Sequence, residues 1–297
     1  MCVSYTEKEL LQLDARYAKE GIPFHARPLR AAAEILKEKF VMGGGPFGNV
    51  QVAEICATYE RLIPETLSTW PGMGTGLVAS VDRVRSVVVA VVFGTPLLTA
   101  AKALGFSTDD EWHTWCRKDA TIVSRSCFAF ADMYDLIYGI DALRHCEQVR
   151  TIDLLCKATE QLTMTSLHLA ASGDPGEGIL QTIGLTAELA LKGSLLHFGV
   201  PESSLSRRNY GHNYQALAER LIKAQPHRDD EMLVRSINML PDYVESRYQY
   251  VGMTRLQIID LALGVQFVAA SAVRRISGRD LAADVEAASG PRARYFS

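Results

Sequence analysis

The sequence lacks the features that mark several large classes of protein. Its six cysteines form no Cys-x-x-Cys pair and have no histidine at zinc-ligand spacing, so neither structural zinc nor dithiol redox chemistry is indicated. The longest strongly apolar run, residues 87–93, has seven residues, whereas a membrane-spanning helix needs about 20. The N-terminus shows no signal-peptide pattern. We therefore expect a cytoplasmic protein with reduced thiols and no membrane partner.

Common catalytic motifs are also missing. The glycine-rich segments 43–48 and 71–76 do not end in Gly-Lys-Ser/Thr, so they are interpreted as connections rather than phosphate loops. The chain contains no Gly-x-Ser-x-Gly motif. Asp132, Asp135 and Asp141 lie in the helical stretches 119–140 and 141–149, but no second acidic cluster or Glu-x-x-His pair accompanies them. The sequence thus predicts no metal and no cofactor.

Composition sets broader limits on partners and size. The net charge of -3 gives no overall positive field, so contact with nucleic acid would need a local basic patch. With 297 residues, 48% of them hydrophobic, the chain can bury one large core or two smaller ones.

Apolar residues recur at helical spacing along almost the whole chain, which predicts an all-α fold. Thr6 and Glu9 fit a capping box at the first helix, and Gly278 ends the last one. The valine-rich segment 77–93 could form a buried strand, but its rhythm favours a helix. Helices are expected at 5–20, 27–40, 50–62, 77–93, 95–104, from 107, and then at 119–140, 141–149, 151–172, 179–198, 211–223, 231–240 and 245–276.

The expected organisation has three parts. An N-terminal helical region covers residues 1–150, a helical bundle covers 151–278, and a loosely ordered tail covers 279–297. Within the bundle, the stretch 187–217 reads as a helix, a polar connection and the start of a second helix, because Gly199 and Pro201 stop the first. This connection is the most polar part of an otherwise apolar bundle, so we expect any chemistry here.

The second half resembles a HEPN domain over residues 151–277. The resemblance rests on segment 188–192 (Glu-Leu-Ala-Leu-Lys), segment 211–214 (Gly-His-Asn-Tyr) with Leu217 after it, and Arg247-Tyr248 near the expected start of the last long helix. It implies a bundle of about four or five helices that forms a homodimer and binds or cleaves RNA, or binds nucleotides, in defence or toxin-type systems. Nothing in residues 1–150 carries such a likeness.

HEPN ribonucleases use an Arg-x4–6-His motif, so the resemblance also implies site residues. No histidine follows Arg247, and the match in spacing is Arg207 to His212, in the loop before the Gly-His helix. If this protein is an enzyme, the resemblance implies a metal-independent endoribonuclease in which Arg207 stabilises developing phosphate charge and His212 transfers a proton. The expected phosphate- or nucleic-acid-binding residues are Lys192, Arg208, Asn209, Arg247 and Tyr248.

Simpler interpretations stand beside these roles. His212 could cap the helix that follows it, Lys192 could only pair with Glu188 four residues earlier, and Arg207 and Arg208 could lie on a solvated loop. Two other functions therefore remain open at this point. One is a non-catalytic dimerisation or protein-interaction scaffold, and the other is a small-molecule-binding helical protein with a pocket between its halves.

Overall fold

A computed structural model describes residues 5–41, 49–66, 72–90, 99–144, 148–206, 210–242 and 249–292. The chain is mostly helical, as predicted, and divides into two compact units, Met1–Pro71 and Gly72–Ser297. This division lies well before residue 150, where the sequence pattern suggested a boundary. The long helix that precedes residue 150 packs within the second unit.

In its described residues, the first unit contains the α-helices α1 (Glu7–Lys19), α2 (Arg27–Leu36) and α3 (Val50–Leu62), with short 3-10 turns at Phe24–Ala26 and Lys37–Lys39. The capping box predicted at Thr6 is confirmed: its hydroxyl accepts from the Glu9 amide, and the Glu9 carboxylate accepts from the Thr6 amide. Tyr17 and Tyr59 are fully buried in this unit's core. The Tyr59 hydroxyl donates to Asp14 at 2.8 Å, so this buried tyrosine has a hydrogen-bond partner.

The second unit begins with a β-hairpin of strands β1 (Gly74–Ser80) and β2 (Arg83–Val89) and continues with helices. The helices are α4 (Ala100–Ala103), α5 (Asp109–Trp115), α6 (Ala120–Leu143), α7 (Val149–Ala171), α8 (Ile179–His197), α9 (Glu202–Leu205), α10 (Tyr214–Ala224), α11 (Asp230–Asn238), α12 (Arg255–Ser277) and α13 (Leu281–Ser289).

The hairpin overturns the prediction of a helix at 77–93 for residues 77–89, while residues 91–93 lie outside the described residues. The strands pair antiparallel, with Gly74 opposite Val89 and Ser80 opposite Arg83. Valine is β-branched and loses rotamer freedom in a helix, so a valine run packs well on a strand when a helical layer covers it. Helices α6 and α7 supply that cover. Gln266 of α12 adds two hydrogen bonds to β1: its side-chain amide accepts from the Leu77 amide at 2.9 Å and donates to the Leu77 carbonyl at 3.1 Å.

Helix α12 lies at the centre of the second unit and packs against α6, α8 and α11. It begins at Arg255, after the Thr254 cap, rather than near residue 245 as predicted, and it ends at the predicted stop, Gly278, whose φ is +69°. Among the described helices it is long and apolar enough to cross a membrane, but 83% of that apolar window is buried inside the protein. Such burial fits a core helix.

The tail predicted to be loose from residue 279 contains helix α13, so that prediction is wrong for residues 281–289. Ala282 is fully buried against Phe128 and Ala131 of α6. The Asp135 carboxylate accepts from the Leu281 amide at 2.6 Å and the Ala282 amide at 3.2 Å, which satisfies two donors at the start of α13. A short apolar contact and a buried carboxylate therefore hold the end of the chain on α6.

Candidate functional site

The connection between α8 and α10 carries the candidate site. Helix α8 ends at His197, and Gly199 adopts a φ of +77° that turns the chain away. Helix α10 is capped by Asn213, whose side chain accepts from the Ala216 amide at 3.0 Å. Because Asn213 caps α10, His212, which precedes it in the chain, is not the capping residue.

The buried carboxylate of Glu188 on α8 organises the site. One oxygen lies 2.7 Å from the Lys192 ammonium and the other lies 3.0 Å from His212 Nδ1. The side chains of Glu188, Lys192 and His212 are 6%, 16% and 54% exposed. These three residues, named here the histidine cluster, place a buried acid beneath a half-exposed imidazole.

Lys192 also fixes the loop that carries the histidine. Its ammonium donates to the Gly211 carbonyl at 2.8 Å, in addition to its contact with Glu188. Next in the chain, Tyr214 is buried against α8, where a Cβ added at Gly184 would lie 2.3 Å from its hydroxyl. The glycine thus permits close approach of α8 and α10, and the approach brings His212 to Glu188.

The arrangement suits proton transfer. When Glu188 accepts the Nδ1 proton, the neutral imidazole has its lone pair on Nε2, and the carboxylate stabilises the imidazolium that forms when Nε2 takes up a proton. Because Glu188 is held by Lys192 as well as His212, the ring orientation is fixed before any ligand arrives. The cluster can therefore act as an oriented general base or acid.

The predicted site residues divide into two groups. The structure brings Lys192 and His212 to one carboxylate, and the contacts of Lys192 are those of a residue that positions Glu188 and Gly211. The remaining predicted residues, Arg207, Arg208, Asn209, Arg247 and Tyr248, lie outside the described residues. Glu188 was identified in the sequence only as the partner of Lys192; its contact with His212 spans 24 positions and no short-range spacing signals it.

A second charged cluster lies in the core. The Arg274 guanidinium contacts Asp132 at 2.6 Å, Asp135 at 2.7 Å and Asp229 at 3.1 Å, and its side chain is fully buried. Arg292 adds a second cation, 2.6 Å from Asp132. We call these five residues the arginine cluster. The acidic pair in α6, Asp132 and Asp135, is therefore neutralised by arginine side chains.

Burial and charge shift the acidities in the arginine cluster. Burial alone would raise the pKa of Asp229, but the hydrogen bond with His227 and the charge of Arg274 lower it far below its ordinary value. For Asp135, burial is the larger influence and raises the pKa, although Arg274 and two backbone amides oppose the shift. Burial alone would lower the pKa of Arg274, but the charges of Asp132, Asp135 and Asp229 raise it, so the guanidinium stays protonated.

Other candidate side chains are held in ordinary structural contacts. His168 Nε2 lies 2.8 Å from the Pro175 carbonyl, and burial lowers the pKa of His197. Among the residues described, no group of three or more histidine, cysteine, aspartate or glutamate side chains is arranged to hold a metal ion.

No protein-family model, curated protein or solved structure matches this chain. The HEPN likeness therefore stays a prediction from the sequence.

Proposed function

We propose that this protein acts on RNA at the histidine cluster, as a metal-independent endoribonuclease of the kind that the HEPN resemblance implies. The observation that carries the proposal is the contact between His212 Nδ1 and the buried Glu188 carboxylate at 3.0 Å. A histidine held by a buried acid and half exposed to solvent is suited to move a proton on a bound ligand.

The proposed reaction is attack by a ribose 2'-hydroxyl on the adjacent phosphorus. His212 Nε2 takes the 2'-hydroxyl proton, the bond from phosphorus to the 5'-oxygen breaks, and the products are a 2',3'-cyclic phosphate and a 5'-hydroxyl end. The departing 5'-oxygen receives a proton from a second acid or from water. Because Glu188 stabilises the imidazolium only after proton transfer, its effect falls on the transition state more than on binding.

Positive charge for the phosphate is assigned to the neighbouring basic residues. Arg207 and Arg208 precede His212 by five and four positions in the sequence, and arginine makes paired hydrogen bonds to phosphate oxygens. The proposal includes a homodimer, in which two histidine clusters serve one groove.

The test is cleavage of single-stranded RNA in excess EDTA, with product ends identified by mass spectrometry. Wild type should leave 2',3'-cyclic phosphate ends, and His212→Ala should lower the cleavage rate by about 10²–10⁴-fold. His168→Gln is the matched control, since the ring of His168 makes a structural contact with the Pro175 carbonyl at 2.8 Å, and it should cleave as wild type.

Two results would reject the proposal. Cleavage that His212→Ala leaves unchanged would mean that another site or a contaminant is responsible. A complete lack of cleavage, together with a dimer that is stable in sedimentation equilibrium and unaffected by His212→Ala, would favour the non-catalytic scaffold.

A further inference from the structure

A cleft of about 840 Å³ lies in the second unit, beside α5 and the start of α6. Its α5 wall consists of Asp110, His113 and Thr114, which share one face because they are three and four residues apart. The α6 wall follows the same spacing. It is lined by Ala120, Val123, Ser124 and Cys127, with Lys118 between the walls and Ser289 of α13 at the border.

These two helical faces do not pack against each other, although both helices are fixed elsewhere. Trp112, on another face of α5, is 7% exposed and donates to the Ser126 hydroxyl of α6 at 3.1 Å. The core therefore holds α5 and α6 together behind the cleft while their front faces stay apart. The volume lies within the range of about 300–1,000 Å³ that is usual for small-molecule sites.

The backbone between the walls holds Lys118 in an unusual conformation. Arg117 and Lys118 have φ values of +57° and +55°, a region that side chains other than glycine and asparagine rarely adopt. The turn is kept by hydrogen bonds from the Lys118 amide to the His113 carbonyl at 2.8 Å and from the Arg117 amide to the Thr114 carbonyl at 3.0 Å. A lysine thus stands where the backbone favours glycine, and its side chain lines the cleft.

The lining combines one cation with a small apolar surface. Lys118 supplies positive charge, His113, Thr114 and Ser124 supply hydrogen-bonding groups, and Val123 with Cys127 supplies the apolar part. Asp110 offers an acceptor on the α5 wall for a hydroxyl or amide of a ligand. Such a lining suits a molecule with an anionic end near Lys118 and an aliphatic part along α6.

We propose that this cleft binds a small amphipathic anion, a carboxylate or a phosphate monoester with an aliphatic chain, separately from the histidine cluster. The first test is isothermal titration of the full chain with octanoate and with octyl phosphate, and with octanol as the uncharged probe. At least one anion should bind with a Kd below about 1 mM, and octanol about 10-fold more weakly or not at all. Binding of one anion and not the other identifies which headgroup the cleft prefers.

Two variants, both at residues with a positive φ, distinguish an effect on the cleft from an effect on the turn. Lys118→Asn should weaken anion binding about 10-fold, because it removes the charge while asparagine tolerates a positive φ. Arg117→Asn is the matched control: it removes the same charge at the same kind of φ, but Arg117 is paired with Asp82 at 3.1 Å and is not part of the lining. It should bind as wild type.

The alkylation rates of two cysteines show where the ligand binds. Burial raises the pKa of Cys127 to about 11, so alkylation by iodoacetamide is followed at pH 9 by peptide mass spectrometry. The bound anion should protect Cys127, and should leave Cys156, which lies outside the lining, at its original rate. Ala120 is exposed and lines the cleft, so a tryptophan at this position fills it. Ala120→Trp should abolish anion binding and leave the midpoint temperature of thermal unfolding unchanged.

The proposal is overturned if neither anion binds, if Arg117→Asn weakens binding as much as Lys118→Asn, or if the bound anion leaves Cys127 unprotected.

Discussion

The two charged clusters of the second unit use similar residues under opposite conditions. In the arginine cluster, the Arg274 and Asp135 side chains are fully buried, and the contacts join α6, α12 and the segments beside α11 and α13. In the histidine cluster, the contacts join α8 to the loop before α10, and the imidazole of His212 is 54% exposed. The arginine cluster joins four parts of the chain, and the histidine cluster orients a single ring.

Burial explains why these clusters should respond differently to substitution. A charge that is left unpaired in the core cannot recover its hydration, so loss of one partner exposes the full desolvation penalty of the others. At a half-exposed histidine, water replaces the lost contact and the penalty is small. Stability should therefore depend on the arginine cluster, and activity should depend on the histidine cluster.

The largest loss of stability is expected for Arg274→Met. This change leaves the carboxylates of Asp132, Asp135 and Asp229 without their common cation, and we expect the free energy of unfolding to fall by about 3–5 kcal/mol. Urea unfolding followed by circular dichroism measures it. Arg235→Met is the matched control, because Arg235 pairs with Glu231 on an exposed helix face, and it should cost less than about 1 kcal/mol. Equal losses would contradict a structural role for the buried cluster.

A smaller effect, and one that depends on pH, is expected for Asp229→Asn. At pH 7 the substitution should cost about 1–3 kcal/mol, since it removes a buried ionic hydrogen bond to Arg274. The folded-state pKa of Asp229 lies below its ordinary value of 3.8. Its carboxylate therefore contributes stability above that value, and the contribution is lost as the pH falls through the folded-state pKa.

The unfolding free energies of wild type and Asp229→Asn should thus converge between pH 4 and the acid limit of the folded state. Asp135, whose pKa is raised by burial, works in the opposite direction, and because it shares Arg274 with Asp229 the substitution also changes its contribution. A difference that stays constant from pH 7 to pH 3 would contradict the assigned role of Asp229.

Local signals in the sequence predicted the parts of the fold that local contacts decide. The capping box at Thr6 and the stop at Gly278 were predicted from a few neighbouring residues, and both are confirmed. Residues 87–89 of the apolar run were misassigned to a helix because an apolar run has the same periodicity in a buried helix and in a buried strand. What decides it is long-range packing: the hairpin lies against α6 and α7, and Gln266, 189 positions from Leu77, bonds the β1 backbone.

The charged residues show the same difference between local contacts, which the sequence predicts, and long-range contacts, which it does not. The spacing of Glu188 and Lys192 predicted their ion pair, which is confirmed at 2.7 Å. Asp132 and Asp135 were recognised as neighbours on α6, but their cation, Arg274, lies 142 and 139 positions away. No helical spacing encodes such a contact, so the sequence indicated acids without showing that the core neutralises them.

Within the histidine cluster, Glu188→Gln should have a moderate effect on both properties. The change leaves the Lys192 ammonium, 16% exposed, facing a neutral amide, so we expect a loss of about 1–2 kcal/mol in unfolding free energy. If the proposed ribonuclease activity holds, kcat should fall by at least about 10-fold with KM little changed, because the carboxylate acts on the imidazolium in the transition state. A change confined to KM would instead assign Glu188 to ligand binding.

The smallest effect on stability is expected for His212→Ala. The ring is 54% exposed and Glu188 keeps its contact with Lys192 when the ring is removed, so the unfolding free energy should change by no more than about 0.5 kcal/mol. Urea unfolding of His212→Ala and of the double variant Glu188→Gln/His212→Ala measures the coupling between the two side chains. A loss above about 1.5 kcal/mol for His212→Ala alone would show that the histidine stabilises the folded loop. A near-neutral result would mean that folding does not require this imidazole, as expected if the contact with Glu188 orients the ring rather than stabilises the fold.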